Sequence, residues 1–165
     1  MAVVAALAVV PLLAASDSAG VRVGWTVVGS QTLSIAGADG PSGRRVASTF
    51  VVPDPSPSDL ARGHVDRDGA LRLTARSNTP WIITARSERA TMGTSDDGTY
   101  TKPIRDLHVR ADGGAYVPLS TEGQIIARGT AGAETVGVDY RVGFDADAHR
   151  PGTYRATVIY TISTP

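Results

Sequence analysis

Arginine and threonine residues alternate with apolar residues along several segments, and they are the side chains of this sequence best suited to bind a ligand. An arginine guanidinium can form paired hydrogen bonds with a phosphate or carboxylate group, and threonine hydroxyls add further donors. The arginines in this pattern are Arg72, Arg76, Arg86, Arg141 and Arg155. We expect them to face away from the core and to form a surface that binds anionic groups. The alternative is an ordinary solvated sheet face.

The sequence shows no arrangement of residues that is typical of a catalytic centre. It has no cysteine, which excludes a thiol nucleophile and a structural thiolate zinc site. Its 3 histidines, His64, His108 and His149, lie far apart in the chain. There is no Gly-x-Ser-x-Gly elbow, metalloprotease helix or phosphate-binding loop. We therefore predict that the protein is not an enzyme, that it has no catalytic residues and that it needs no cofactor.

Short acidic motifs offer carboxylates that could bind calcium, which takes six to eight oxygen ligands. They are Asp66-Arg67-Asp68-Gly69, Ser95-Asp96-Asp97-Gly98 and Asp145-Ala146-Asp147. None of them matches a complete calcium-loop pattern, and Asp-Gly pairs are ordinary turn residues. The sequence therefore favours turns without a metal ion, and calcium is the alternative.

The charges of the chain balance. Lysine and arginine together number 16, as do aspartate and glutamate, so the formal net charge is zero. A neutral chain has no general electrostatic attraction to nucleic acid or to anionic lipid. We therefore do not expect nucleic acid to be a partner.

The N-terminus resembles an export signal. Residues Met1–Leu13 form an apolar run, and the small residues Ala14 and Ser16 follow it. This pattern predicts a signal peptide over residues 1–16, cleaved near Ser16, and an extracellular or cell-surface location. The run is shorter than the ~20 residues of a membrane-spanning helix, so we expect no transmembrane anchor. No positive residue precedes the run, and the alternative is a buried N-terminal strand or helix.

The rest of the chain has the pattern of β-strands. Apolar residues recur at every second position in several segments, and the 18 glycines and 10 prolines favour turns between short strands. The clearest segments are Val21–Val27, Leu71–Arg76, Trp81–Arg86, Thr135–Phe144 and Pro151–Ser163. We predict an all-β fold over residues 17–165: a single antiparallel β-sandwich, Greek-key and immunoglobulin-like, with about nine or ten strands.

The spacing of these segments also suggests which strands are neighbours. We expect Leu71–Arg76 and Trp81–Arg86 to form a hairpin, in which their apolar residues share one face. In this interpretation a second hairpin is formed by Thr135–Phe144 and the last strand, Pro151–Ser163. The last strand is then central to its sheet.

The aromatic residues could serve either the core or a ligand. Trp25 and Trp81 could stack on sugar rings, but each lies on the apolar face of its strand, which favours core packing. The residues that we predict to form the core are Trp25, Trp81, Tyr140, Phe144, Tyr154, Val158, Tyr160 and Ile162.

Two stretches resemble the WxL surface domains of Gram-positive bacteria. Asn78–Thr84 carries Trp81-Ile82-Ile83 at the position of the first Trp-x-Leu motif of that family. Gly152–Ile162 is similar to its closing strand and carries Tyr160-Thr161-Ile162 in place of the second motif. The aromatic-x-aliphatic spacing is kept, although the residue types differ. The layout, over roughly Leu71 to Pro165, is also similar to fimbrial and spore-coat-protein-U-like β-sandwiches.

The resemblance implies an exported β-sandwich that is held noncovalently at the cell wall and has no catalytic activity. We therefore expect a module that binds a cell-wall polymer or a partner surface protein. The alternative is a fimbrial or filament subunit that assembles with its own copies by donating Val21–Val27 to a neighbouring sandwich. A secreted enzyme is the third interpretation.

Overall fold

The computed structural model describes residues 26–37, 55–145, 147 and 150–165. The predicted signal peptide, residues 1–16, lies outside the described residues. So do Trp25 and most of the predicted strand Val21–Val27.

The described residues are mostly β-strand, with one α-helix and one 3₁₀ helix. In chain order the elements are β1 (Gln31–Gly37), α1 (Pro57–Arg62), β2 (His64–Ser77), β3 (Trp81–Ser87), β4 (Thr91–Thr94), β5 (Thr101–Pro103), the 3₁₀ helix (Ile104–Asp106), β6 (Leu107–Ala111), β7 (Val117–Pro118), β8 (Gln124–Gly129), β9 (Gly132–Gly143) and β10 (Val158–Ser163). Helix α1 begins with a capping box formed by Ser56 and Asp59, and it ends at Gly63, whose φ of 72° suits glycine.

The strands form two main sheets and a small ribbon. The large sheet is five-stranded, in the order β1-β2-β9-β6-β7, and the small sheet is three-stranded, in the order β10-β3-β8. Strands β4 and β5 form a separate two-stranded ribbon. All pairs in the described residues are antiparallel. The predicted all-β sandwich class is confirmed.

The core lies between the inward faces of the two main sheets. Leu73 of β2 and Ile83 of β3 have no exposed surface, and Trp81 and Tyr140, both predicted core residues, are each 1% exposed. Residues that alternate along a strand point to opposite faces, so every second side chain of β2 and β3 enters the core. Tyr154, Val158, Tyr160 and Ile162 are partly buried and pack against this core.

The two predicted hairpins are wrong. Strands β2 and β3 follow each other in the chain, but they belong to different sheets, as do β9 and β10. The side chain of Asn78, between β2 and β3, donates to Val28 O and accepts from Ser30 N. These bonds hold the connection against the segment before β1 while the chain crosses to the other sheet. The apolar faces of β2 and β3 therefore meet across the core instead of sharing one face.

The last strand is shorter than predicted and lies at an edge. In the described residues β10 begins at Val158 and pairs only with β3. The preceding residues bond to the ribbon region, since Arg155 N donates to Met92 O and Asp96 N donates to Pro151 O. These contacts draw the chain away from the sheet before β10 begins. The expected central strand is therefore an edge strand.

A glycine makes room for the largest core side chain. Gly129 of β8 lies opposite Trp81 in the small sheet. A Cβ atom at residue 129 would lie 2.1 Å from Trp81 Cζ2. The indole ring therefore covers the backbone of its neighbouring strand, and only glycine permits this contact.

A pair of tyrosine hydroxyls connects the two main sheets. Tyr140 of β9 and Tyr160 of β10 form a hydrogen bond across the core. Burial raises the pKa of Tyr140 to about 12 and also raises the pKa of Tyr160. The bond satisfies polar groups that would otherwise be costly to bury among apolar side chains.

We expect Tyr140→Phe to lower the free energy of unfolding by about 1–2 kcal/mol, because it leaves the Tyr160 hydroxyl without this partner. The double variant Tyr140→Phe/Tyr160→Phe should cost no more than the single variant, since both polar groups are gone. Urea denaturation of the wild type and the variants measures this cycle. Additive losses would show that the hydroxyls are not coupled.

The same pair predicts a loss of stability in alkali. The folded state keeps the phenols protonated above the ordinary pKa of 10.0. The stabilisation is therefore complete below pH 10 and is lost as the pH rises towards about 12. The double phenylalanine variant should lose less stability than the wild type over this interval.

Candidate functional site

The structure separates the arginines that were predicted to form one surface. Arg72 and Arg76 lie on β2 of the large sheet, whereas Arg86 lies on β3 of the small sheet. Arg155 precedes β10 and is exposed, outside any strand. Because β2 and β3 face each other across the core, their outward side chains point to opposite sides of the sandwich. A single stripe through Arg72, Arg86 and Arg155 is therefore not formed.

Arg141 differs from the other predicted binding residues because it is paired with an acid. Its Nε and Nη2 atoms donate to the two carboxylate oxygens of Asp66, at 2.7 Å and 2.9 Å. The two residues lie directly opposite each other on β9 and β2. This bidentate pair lowers the pKa of Asp66 and neutralises the guanidinium charge.

A second arginine beside this pair is also neutralised. Arg110 of β6 donates from Nε to Asp139 at 2.7 Å and from Nη2 to Asp68 at 3.1 Å. The guanidinium carbons of Arg110 and Arg141 lie 4.5 Å and 4.2 Å from the centre of the Tyr116 ring. The result is a charge network on the outward face of the large sheet, and the sequence patterns did not indicate Arg110, Asp139 or Tyr116.

The ring of Tyr116 contacts both arginines of this charge network. Its hydroxyl is buried and has no hydrogen-bond partner in the described part of the chain. Burial raises the pKa of Tyr116, and the carboxylate of Asp66 raises it further. Both guanidiniums stack on the ring while they are paired with aspartates, and cation–π attraction adds to these ion pairs. The network therefore connects β2, β9 and β6 with Tyr116, the residue before β7.

Towards Ser77, away from the charge network, the outward face of β2 carries arginines that are not paired with any acid in the described part of the chain. We call Arg72, Thr74 and Arg76 the β2 shelf. Both arginines are exposed, and neither forms an ion pair with any residue in the described ranges. Thr74 lies between them, with its hydroxyl 3.4 Å from that of Thr135 on β9. The shelf thus presents two guanidiniums whose charge is not neutralised.

Small residues surround the β2 shelf. On the β1 side, Thr32, Ser34 and Ala36 lie opposite Arg76, Thr74 and Arg72 in the register. On the β9 side the opposite residues are Ala133, Thr135 and Gly137. The carboxylate of Asp112 accepts from the backbone N–H of Gly137, opposite Arg72, at 2.7 Å, and no ion pair joins Asp112 to Arg72. Among the described residues, the cross-strand neighbours of both arginines are therefore short side chains.

The outward face of the small sheet is less polar. Arg86 lies opposite Ile159. Ile82 points outward, because its neighbours Trp81 and Ile83 are buried. Ile125 of β8 is 43% exposed. These isoleucines interrupt the polar surface around Arg86. The β2 shelf is therefore the better candidate for binding an anionic ligand.

A groove lies at the far end of the sandwich, where β2 begins and β9 ends. It has a volume of about 600 Å³, and its lining includes Tyr100, Pro103, Arg105, Asp106, His108 and Phe144. Phe144 was predicted to be a core residue, but β9 ends at Gly143 and Phe144 is only half-buried. Its backbone N–H donates to Gly63 O at 2.9 Å, which extends the pairing with the start of β2 by one residue. Phe144 therefore lies at the end of the sheet and lines the groove, and it is not among the residues that pack against the core.

A buried lysine supports this groove. Lys102 is the only lysine in the sequence and is 3% exposed. Its ammonium donates to Gly143 O at 2.8 Å and to Asp106 Oδ2 at 3.2 Å. Burial lowers the pKa of Lys102, and Asp106 opposes that shift. The lysine thus ties the end of β9 to the 3₁₀ helix.

The acidic motifs form hydrogen-bonded turns and ion pairs. Asp97 accepts hydrogen bonds from Ser95 Oγ, Thr99 N and Thr99 Oγ1, and these bonds lower its pKa to about 2. Asp147 N donates to Asp145 Oδ1. Within the described ranges, no three histidine, aspartate or glutamate side chains are grouped so that they could hold a metal ion.

Comparison with known proteins adds no relative. No protein-family model matches the sequence, and no curated protein matches it. Among the helices that the structure describes, none combines the length and the apolar character needed to cross a membrane.

The charge network predicts a specific loss of stability in acid. We expect Asp66→Asn to lower the free energy of unfolding by about 1 kcal/mol at pH 7, because it removes the bidentate acceptor of Arg141. The folded state holds the pKa of Asp66 below the ordinary value of 3.8. The stabilisation is therefore present above that pH and is lost as the pH falls through the lowered pKa.

Urea denaturation of wild type and Asp66→Asn at a series of pH values tests this expectation. The difference between them should shrink below pH 4, where protonation of Asp66 removes the same bond from the wild type. A Ser58→Ala variant, at an exposed position in α1, is the control. A pH-independent difference would mean that the Asp66 charge does not stabilise the fold.

Proposed function

We propose that this chain is an exported, non-catalytic module of the bacterial cell surface that binds an anionic cell-wall polymer, or the anionic surface of a partner protein, through the β2 shelf. One observation carries the proposal. Arg72 and Arg76 are exposed on one face of one strand and form no ion pair in the described part of the chain, whereas Arg110 and Arg141 are neutralised by aspartates.

The spacing of the shelf suits a polymer with repeated anionic groups. Residues four apart on a strand are separated by about 13 Å, at ~3.3 Å per residue. Each guanidinium can form two hydrogen bonds with one phosphate or carboxylate group. The hydroxyls of Thr32, Ser34 and Thr74 lie between or beside the arginines and add donors. The shelf therefore has the chemistry for successive anionic groups along an extended chain.

The zero net charge of the protein makes this binding local. A chain with balanced charges does not attract polyanions over its whole surface, so affinity must come from the shelf itself. The predicted signal peptide over residues 1–16, with cleavage near Ser16, would deliver the module to the wall.

We expect Arg72→Gln/Arg76→Gln to abolish binding to purified cell walls at 0.1 M salt. The wild type should itself release as salt rises to 1 M, because the Debye length falls from ~10 Å to ~3 Å. Stability should change by less than about 0.5 kcal/mol, since both residues are exposed. A pull-down on cell walls across a salt series is the measurement.

Arg86→Gln/Arg155→Gln is the matched control. It removes the same charge from exposed positions outside the shelf. Retention of this control together with loss of the shelf variant would support the proposal. Equal binding by all three proteins at every salt concentration would contradict it.

A second candidate is a subunit that assembles by strand donation, and the edge strand β10 favours it. Its six residues pair with β3 in an unbroken register and include no charge and no proline. Edge strands of soluble proteins are usually protected from pairing with another chain by a charged residue, a proline or a bulge. Val27, the last residue of the predicted donor strand, and Val28, which follows it, are 71% and 72% exposed. A strand from a second copy could therefore extend the small sheet at β10.

If strands are donated, the purified chain should form oligomers that grow with concentration and resist mild denaturant. Val27→Asp should abolish them, because residue 27 lies on the apolar face of the alternating segment. Val28→Asp, on the other face and equally exposed, should not. Size-exclusion chromatography with light scattering measures this, and a wild type that is monomeric at all concentrations would exclude the candidate.

A further inference from the structure

The groove between the sandwich and the ribbon differs from the β2 shelf in position and in chemistry. Gly63 and Gly143 lie at the sandwich side of it, and Tyr100 and Pro103 lie at the ribbon side. It is an open groove on the surface, with a volume of about 600 Å³, and not an enclosed cavity. The shelf occupies the opposite half of β2, so a ligand in the groove would not depend on Arg72 or Arg76.

Two aromatic side chains line this groove outside the core. Trp81 and Tyr140 are buried between the sheets, whereas Tyr100 and Phe144 are half-buried at the groove. Tyr100 packs edge-to-face on Tyr154, with the ring centres 6.3 Å apart and the planes at 85°. This contact holds the Tyr100 ring in one orientation. Half-exposed rings in a concave surface offer flat apolar faces on which the C–H face of a pyranose ring can stack.

The polar groups of the groove include both signs of charge. The carboxylate of Asp106 forms an ion pair with the buried Lys102. Arg105 and Asp145 are exposed at the lining and bring one positive and one negative group. His108 Nδ1 lies 3.3 Å from Asp106 O. The lining therefore offers donors and acceptors with no excess of either charge, which suits a neutral ligand that has many hydroxyl groups.

We propose that this groove binds a neutral sugar residue of a glycan, with Tyr100 and Phe144 as stacking platforms and with Arg105 and Asp145 as hydrogen-bonding partners of the hydroxyls. Lys102 is a positioning residue, because its bonds to Gly143 O and Asp106 fix the two sides of the groove. The proposal stands independently of anionic binding at the shelf. It gives the module a second contact with a polymer that carries both sugar and acidic groups.

The test uses cellotetraose, chitotetraose and mannotetraose as neutral probes, with isothermal titration calorimetry and amide chemical shifts as readouts. We expect at least one probe to bind and to shift the amides of Tyr100, Gly143 and Phe144. Phe144→Leu keeps an apolar side chain but removes the ring, and it should weaken binding about tenfold. Phe144→Tyr keeps the ring and should bind like the wild type.

The variant pair keeps the result interpretable if a single substitution disturbs the fold. Tyr100→Phe retains a ring and should bind, whereas Tyr100→Leu should not. Arg72→Gln/Arg76→Gln should bind the neutral probes like the wild type, which separates this proposal from that for the shelf. Absence of binding by all three probes at millimolar concentration would overturn the inference, and so would equal binding by Phe144→Leu and Phe144→Tyr.

Discussion

The packing of β2 against β3 across the core is the interaction on which the rest of the structure depends. Leu73 and Ile83 have no exposed surface, and Trp81 is 1% exposed. Burial of these side chains stabilises the fold by roughly 1.5–3 kcal/mol each before the entropy of ordering the chain is counted. Because the alternate side chains of each strand must then point outward, this packing also decides where Arg72, Arg76 and Arg86 lie.

The outward face of the large sheet shows two uses of the same residue type. Arg141 and Arg110 face aspartates on neighbouring strands, and their charges contribute to holding the sheet together. Arg72 and Arg76 face threonine, serine, alanine and glycine, so their charges are available to a ligand. The register of β2 with β9 makes the difference, since it places Asp66 opposite Arg141 and Gly137 opposite Arg72.

Two buried polar contacts connect the sheets to each other and to the neighbouring elements. The Tyr140–Tyr160 bond connects the two main sheets, and Lys102 connects the end of β9 to the 3₁₀ helix. A polar group that is buried without such a bond costs about 1–3 kcal/mol, so these pairs favour one arrangement of the sheets over others. The groove lies where the second of these pairs holds the ribbon side against the sandwich.

The sequence alone was sufficient to predict the all-β sandwich class, because period-two alternation specifies strands with one buried face. The same alternation assigns each side chain of β2 and β3 to a face. It does not specify the partner of a strand, since an apolar face is buried equally well beside its neighbour or across the core. The hairpins were therefore assigned wrongly, and with them the single arginine stripe.

Three features depend on the strand order and on where β9 ends. They are the pairing of Asp66 with Arg141, the stacking of arginines on Tyr116 and the position of Phe144 outside the core. Only the tertiary structure decides those, because residues such as Asp66 and Arg141 are far apart in the chain and meet only through the register of β2 with β9, which are neighbours in the sheet but not in the sequence.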